Sequence, residues 1–375
     1  MPSNIRFQWT KAAARTPFRT GVSLHSHTLH SRESLEFIYR AASHVPLLAA
    51  AIRRGEARYR KRYGSPLDLS RGWWTPPLGA HEAWLVEKTQ IEKLGLEALV
   101  SLTDHDNLDA PTALQLLDEC RETPLSVEWT VPFRSTFFHL GVHNIPAAIA
   151  RAAWDEMKRL TRLPEERRLR LILAEIASRP GTLIVFNHPL WDEKGIGQAK
   201  HNAAARELLH SCGDYLHALE LNGLRPWVEN RNVMALASQV GKPAISGGDR
   251  HALEPNALLN LTNALTFGEF AEQVRTGWSD VLILRHYRES YTFRIVHNLI
   301  DVLRKYETHP QGWRLWSDRV FYECDDGQER SLTGLFQTGL PAPVALFVGA
   351  VQFMATPPVR RFLRGMFPAM EEVAL

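Results

Sequence analysis

Residues Gly21–Ser31 read GVSLHSHTLHS, a short apolar run that ends in three histidines within six residues. A histidine cluster of this kind is chance, a solvated loop or a metal site, and the rest of the chain decides among them. Imidazole nitrogen and carboxylate oxygen suit Zn²⁺, Mn²⁺ or Fe²⁺. The three cysteines, Cys120, Cys212 and Cys324, are far apart and form no CxxC pair, so neither a thiolate zinc site nor a disulfide framework is expected.

Similar strand-length runs recur and end in the same residue types. Asp104 and His105 follow ALVSL, His188 follows LIVFN, and Asp249 and His251 follow PAISGG. Glu128 lies in PLSVEWT, with His139 eleven residues later in FFHLG. In β/α barrels the C-terminal strand ends share one face and carry the active site. On an extended strand, His25 and His27 point to the same side, as do Asp249 and His251. Two or three ions bridged by a carboxylate such as Glu128 account for so many donors better than one does.

The frame around these runs is α/β. Helical patterns are expected over residues 33–62, split at Pro46, and over 81–95, 109–120, 147–161, 164–178, 201–212 and 226–240. Strands alternate with them, which points to a parallel sheet or barrel. After residue 287 the pattern changes to an amphipathic helix in YTFRIVHNLIDVLRKY and a 17-residue apolar stretch, GLPAPVALFVGAVQFMA. The second is too short and too rich in Pro and Gly for a membrane span; it reads as a packed helix or a membrane or partner contact.

With 375 residues, 45% apolar and 23% charged, the chain matches a globular protein large enough for a big core. A net charge of +3 from 44 basic and 41 acidic residues gives little support for a nucleic-acid surface. The N-terminus lacks the apolar core of a signal peptide, and no run of 18 apolar residues occurs, so a cytoplasmic location is expected.

The motifs HSHTLHS, LTDHDN, VEWT followed by HLGV, NHP and GGDRH, in this order, resemble those of the PHP family, the polymerase and histidinol phosphatase domains. The resemblance spans roughly residues 20–286 and is strongest to its stand-alone phosphoesterases of nucleotides and oligonucleotides. It implies a distorted seven-stranded β/α barrel with up to three ions. The implied ligands are His25, His27, His105, Glu128, His139, His188, Asp249 and His251. The family motif continues H-x-H-T-x-x-S-D, but here Arg32 takes the Asp position, so Glu33 is expected as the substitute ligand. The other reading is that Glu33 only favours a helix N-terminus. His30 is assigned to the loop. The chain also departs from the family in an insertion over 41–78, a lid or a scaffold, and in a mainly helical extension over 287–375.

The implied activity is phosphoester hydrolysis by a water held between the ions, on a phosphorylated small molecule or a short nucleic acid. Asp104 or Asp106 is a candidate to orient His105, the other reading being a solvated turn. Arg225, ahead of Arg250, is the candidate phosphate clamp, the other reading of both being a surface arginine. Trp73, Trp74, Trp191 and Trp227 are either packing residues or surfaces that stack a base. Two rival functions stay open: hydrolysis of an amide or lactone by the same metals, and a silent binding module. No oligomeric state follows from the sequence.

Overall fold

The computed structural model describes residues 4–10, 17–36, 46–64, 66, 68–336 and 342–366. Its strands form two five-stranded sheets and one smaller four-stranded sheet. The first has the order β1 (Asn4–Phe7), β12 (Asp280–Ile283), β11 (Leu258–Thr262), β2 (Thr20–Leu24), β5 (Glu97–Ser101). The second has the order β10 (Ala244–Gly247), β9 (Ala218–Asn222), β8 (Leu183–Asn187), β7 (Thr136–His143), β6 (Val127–Phe133).

These two sheets share a core. Val22 and Leu24 of the first pack with Leu183, Val185, Ala218 and Ile245 of the second, all 2% exposed or less. Phe267, Phe270 and Val274 of the helix Phe267–Arg275 join them. Single parallel bridges, Ser26 with Arg250 and His105 with Glu128, tie the sheets together at the histidine-bearing end. The expected seven-stranded barrel is therefore not drawn as one continuous sheet among the described residues. The expected parallel order is also broken, because β7 runs antiparallel to both β6 and β8, and β11 runs antiparallel to β2 and β12.

Most expected helices are present: Ala80–Glu92, Ala147–Arg162, Glu166–Ala177, Gln198–Cys212, Trp227–Gln239 and Tyr291–Val302. The helix expected over 109–120 stops at Leu114 and is followed by a 3₁₀ turn. The one expected over 33–62 needs more correction. Glu33 and Ser34 are a short strand, β3, and the helix begins at Pro46, where a missing N–H is harmless, and runs to Tyr63. Residues 37–45, and with them the start of the insertion, lie outside the described residues.

The third sheet, β14 (Glu329–Ser331), β13 (Val320–Glu323), β4 (Gly72–Trp74), β3, combines three distant parts of the chain. The insertion supplies β4 and the extension supplies β13 and β14, so the extension is not simply helical. It is also stitched to the first histidine motif, since Glu33 pairs with Trp74 and Phe321 pairs with Trp73. The C-terminal apolar stretch forms the helix Ala342–Met354; its Val348 and Val351 pack on Ile300 and Leu303. No helix among the described residues is long and apolar enough to cross a membrane.

Candidate metal centre

β2 ends at Leu24, and the backbone then turns left-handed at His25, with φ 63°. His188 and Asp249, each just past its strand, are also left-handed, with φ 27° and 57°. Non-glycine residues rarely adopt this conformation, and it concentrates at functional sites. His25 and His27 are thus not neighbours on one face of an extended strand, contrary to what the H-x-H spacing suggests. His25 and His27 converge because the strand breaks between Leu24 and Ser26.

Glu128 and His139 arrive by another route. Glu128 sits near the start of β6 and His139 in the middle of β7, an antiparallel hairpin, and not at C-terminal strand ends. Gly141 lies opposite Glu128, and a side chain there would meet the Asn187 amide at 2.8 Å. That space lets Asn187 donate to Glu128 at 2.9 Å.

The expected ligands come together in three groups. His25 Nε2 lies 2.9 Å from Glu128 Oε2 and 3.6 Å from Asp249 Oδ1. His27 Nε2 lies 3.3 and 3.5 Å from the same two oxygens. Glu33 Oε2 lies 3.3 Å from His105 Nε2 and 3.1 Å from His251 Nε2. The other oxygen of Glu128 lies 3.2 Å from His188 Nε2 and 3.6 Å from His139 Nδ1, with 3.4 Å between those nitrogens. Donors about 2.0–2.2 Å from one tetrahedral ion lie roughly 3.3–3.6 Å from each other. The spacing therefore suits ions between the donors.

Satisfaction of polar groups gives an independent test of that fit. His25 Nε2, His27 Nε2 and Glu128 Oε2 are buried and have no hydrogen-bond partner. A buried polar atom without a partner is unfavourable, and three from residues whose ligand atoms lie within 4.8 Å of one another suit a cation. Divalent metal ions fit this donor set.

The charges agree. Burial opposes ionisation at Glu128, yet His25, His105 and His139 hold its carboxyl well below the usual range. Burial likewise opposes His25, but Glu128, Glu220 and Asp249 raise it well above an ordinary imidazole. His105 is raised in the same way, against burial, by Glu33 and Glu128. Glu33 is held low, against burial, by His251, His105 and His27. Protons on the rings do here what cations would do in their place.

Arg32 and Glu33 face opposite ways. Arg32 makes a bidentate pair with Glu329 at 2.8 and 3.1 Å and stacks on Trp73. Glu33 turns inward and is only 8% exposed. Arg32 thus fastens the extension, and its neighbour Glu33 faces the centre.

Other expected roles are corrected. Asp104 accepts hydrogen bonds from Thr28 N and Oγ1 at 2.5 and 2.7 Å, and Asp106 accepts one from Thr130 N at 2.9 Å. They brace loops and do not orient His105. Arg250 is buried against Glu87 at 2.8 Å and donates to the carbonyls of Ala252 and His27, so it is a brace and not a clamp. Trp227 is 1% exposed and packed beside Phe7 and Tyr287, where no base can stack. Trp191 and Trp74 do border the centre: the Arg225 guanidinium sits 3.6 Å above the Trp191 ring, and Trp74 lies 5.9 Å from His251. Arg225 itself reaches to 3.8 Å from Asp249 Oδ2.

Two acids near the centre were not foreseen. Glu220 bonds to His25 Nδ1 and accepts from His188 N at 2.8 Å. When the ring is neutral this bond leaves the Nε2 lone pair facing inward. A side chain at Gly247 would come within 1.7 Å of Glu220, which accounts for the glycine before GDRH. The ELN sequence ending β9 carried that signal, since an acid inside a buried strand needs a partner. Glu193, on the loop after His188, lies 3.7 Å from His139 Nδ1. Burial in the cleft raises its carboxyl above the ordinary range, against the pull of His105, His188 and Arg225.

No protein-family profile matches the chain, and no curated protein is significantly similar in sequence. Solved structures that it resembles include PsfC from Pseudomonas syringae, 16% identical with a TM-score of 0.40, covering 72% of this chain and 93% of that one. An amidohydrolase from Chromobacterium violaceum, with bound sulfate and no metal, is 14% identical with a TM-score of 0.35, covering 48% and 84%. A proposed metal-dependent phosphoesterase from Bifidobacterium adolescentis is 15% identical with a TM-score of 0.32, covering 54% and 92%.

Proposed function

We propose that the protein is a metal-dependent hydrolase of phosphoesters, built on a PHP-type β/α barrel whose ring of strands is closed only by the single bridges at the centre. The observation that carries the metal-dependent reading is the trio of unpartnered buried atoms, His25 Nε2, His27 Nε2 and Glu128 Oε2. His25, His27, Glu128 and Asp249 hold one ion, Glu33, His105 and His251 a second, and Glu128, His139 and His188 a third. Ions bound there activate water and neutralise charge that develops on phosphate oxygens.

The residues around them supply position. Glu220 fixes the His25 ring. Arg225 has a buried Nε without a hydrogen-bond partner and a guanidinium carbon 3.6 Å from the Trp191 ring centroid. Such a group is preorganised to take two oxygens of a phosphate. This feature favours a phosphoester over an amide or lactone, which offers no matching anion. Trp74 and Trp191 give flat surfaces beside the centre, which favours a nucleotide or short oligonucleotide among phosphoesters.

The test is a panel of phosphomonoesters, phosphodiesters, amides and lactones, run with the chelated protein and after addition of Mn²⁺, Fe²⁺ or Zn²⁺. Metal-restored turnover of at least one phosphoester is expected. No bound metal and no metal-dependent phosphoester turnover would sink the reading, and turnover of only an amide or lactone would replace it.

A further inference from the structure

We propose that Glu193 is a fourth protein ligand of the third ion, joining Glu128, His139 and His188, so that this subsite is closed by a loop and not left open. The inference rests on the metal-dependent reading above and extends it to a residue that no motif contains.

The geometry is local and specific. Glu128 Oε1, His139 Nδ1 and His188 Nε2 form a triangle with sides of 3.2, 3.4 and 3.6 Å. Three protein donors leave a tetrahedral ion one open position. Glu193 Oε2 lies 3.7 Å from His139 Nδ1, close to the spacing expected of a fourth donor. Its side chain is 36% exposed, so it enters from the solvent side of the triangle while the other three donors are buried.

The loop is built to hold it there. His188 O accepts from Trp191 N at 2.9 Å, and Trp191 O accepts from Glu193 N at 3.0 Å. Asp192 then accepts from the backbone N–H groups of Gly195, Ile196 and Gly197 at 2.9, 3.1 and 2.8 Å. Gly195 and Gly197 are both left-handed, at φ 72° and 98°, which the tight return of the loop requires. Trp191 lies against Arg225. Glu193 is thus flanked on both sides by residues with fixed backbones, and its carboxylate faces the His139 ring.

The subsites differ in consequence. The His25 and His27 subsite draws its donors from β6 and from residues within three positions of the ends of β2 and β10. The third subsite has one donor on a loop, which a substrate oxygen can replace without disturbing the other three.

Metal content tests this without reference to activity. Wild type, Glu193→Gln and Glu193→Ala are dialysed against Zn²⁺ or Mn²⁺ buffered over a range of free concentrations, and ions per chain are measured by mass spectrometry of the metal. Wild type is expected to hold three. Both variants are expected to hold two at the free concentration that fills wild type, with the third weakened at least about tenfold. Glu193→Gln keeps the side-chain volume, so circular dichroism matching wild type separates a lost ligand from a lost fold. Three ions in Glu193→Gln with affinity within twofold of wild type would overturn the assignment of Glu193 alone, as would a wild type that holds only two. A wild type that binds none overturns the metal-dependent reading with it.

Discussion

The two ends of β8 and β9 carry the same kinds of residue to opposite effect. Toward their C-terminal ends His188, just past β8, and Glu220, midway along β9, face a group in which His25 Nε2, His27 Nε2 and Glu128 Oε2 have no hydrogen-bond partner. At their N-terminal ends Arg275 and His217 are paired within the chain. Arg275 donates to the carbonyls of Ala177 and Thr182 at 2.9 and 3.0 Å, with Arg179 O at 3.4 Å. His217 accepts from Ile184 N at 2.9 Å. The histidines follow suit. His25 is raised well above its ordinary value, while burial, then Arg275 and Lys242, lower His217 to about 3. Unpaired groups are available for an ion; paired groups hold the strands in place. Chemistry and stability should therefore separate along the strands.

The largest effect is expected at the C-terminal end. His25→Ala and Asp249→Ala should each lower kcat/KM on the ester found in the panel by well over 100-fold, since even the partners that orient metal ligands are worth 10–100-fold. Circular dichroism should show a folded chain with fewer bound ions. A variant that keeps its ions and its turnover would break the comparison at this end.

The reverse is expected of Arg275→Ala. It leaves the carbonyls of Ala177 and Thr182 without their guanidinium donor, a loss of about 2–4 kcal/mol. Urea unfolding should show it as a lower midpoint with an unchanged slope. Ion content and turnover of the folded fraction should match wild type. Loss of ions in this variant would show that the two ends are coupled.

The sequence displayed the C-terminal end far better than its opposite. His25, His27, His105, His188, Asp249 and His251 stand out because each follows an apolar run, and burial of a strand end makes a polar residue there conspicuous. Glu33 could be chosen over Arg32 because only a carboxylate suits a cation. What the sequence hid is what depends on the third dimension. The left-handed turn at His25 has no glycine to announce it. The β6–β7 hairpin inverts the direction from which Glu128 and His139 enter, and hydrophobic alternation is the same for either direction. β13 looked like a mere sequel to the helices, because its pairing with β4, 246–250 residues away, leaves little local signal. Glu193 and Glu220 are ordinary acids in sequence, and only their neighbours make them otherwise.

His217 gives the smallest predicted effect and the sharpest sign. Its folded value is about 3, against about 6.5 in an unfolded chain. Above pH 6.5 both states are neutral, and the ring accepts from Ile184 at no protonation penalty. As the pH falls below 6.5 the unfolded chain takes up a proton that the folded chain refuses until about pH 3. Stability is therefore lost across that window, at up to about 1.4 kcal/mol per pH unit. Between pH 6.5 and 5 this amounts to roughly 2 kcal/mol. The centre's histidines also titrate, so the effect is isolated by difference. Wild type and His217→Gln are compared by urea unfolding at both values, with metal removed from each. The variant, whose amide can still accept from Ile184 N, should lose about 2 kcal/mol less than wild type on acidification. Equal losses would mean that His217 is protonated in the folded chain, and that the N-terminal end is no drier for a histidine than the centre it supports.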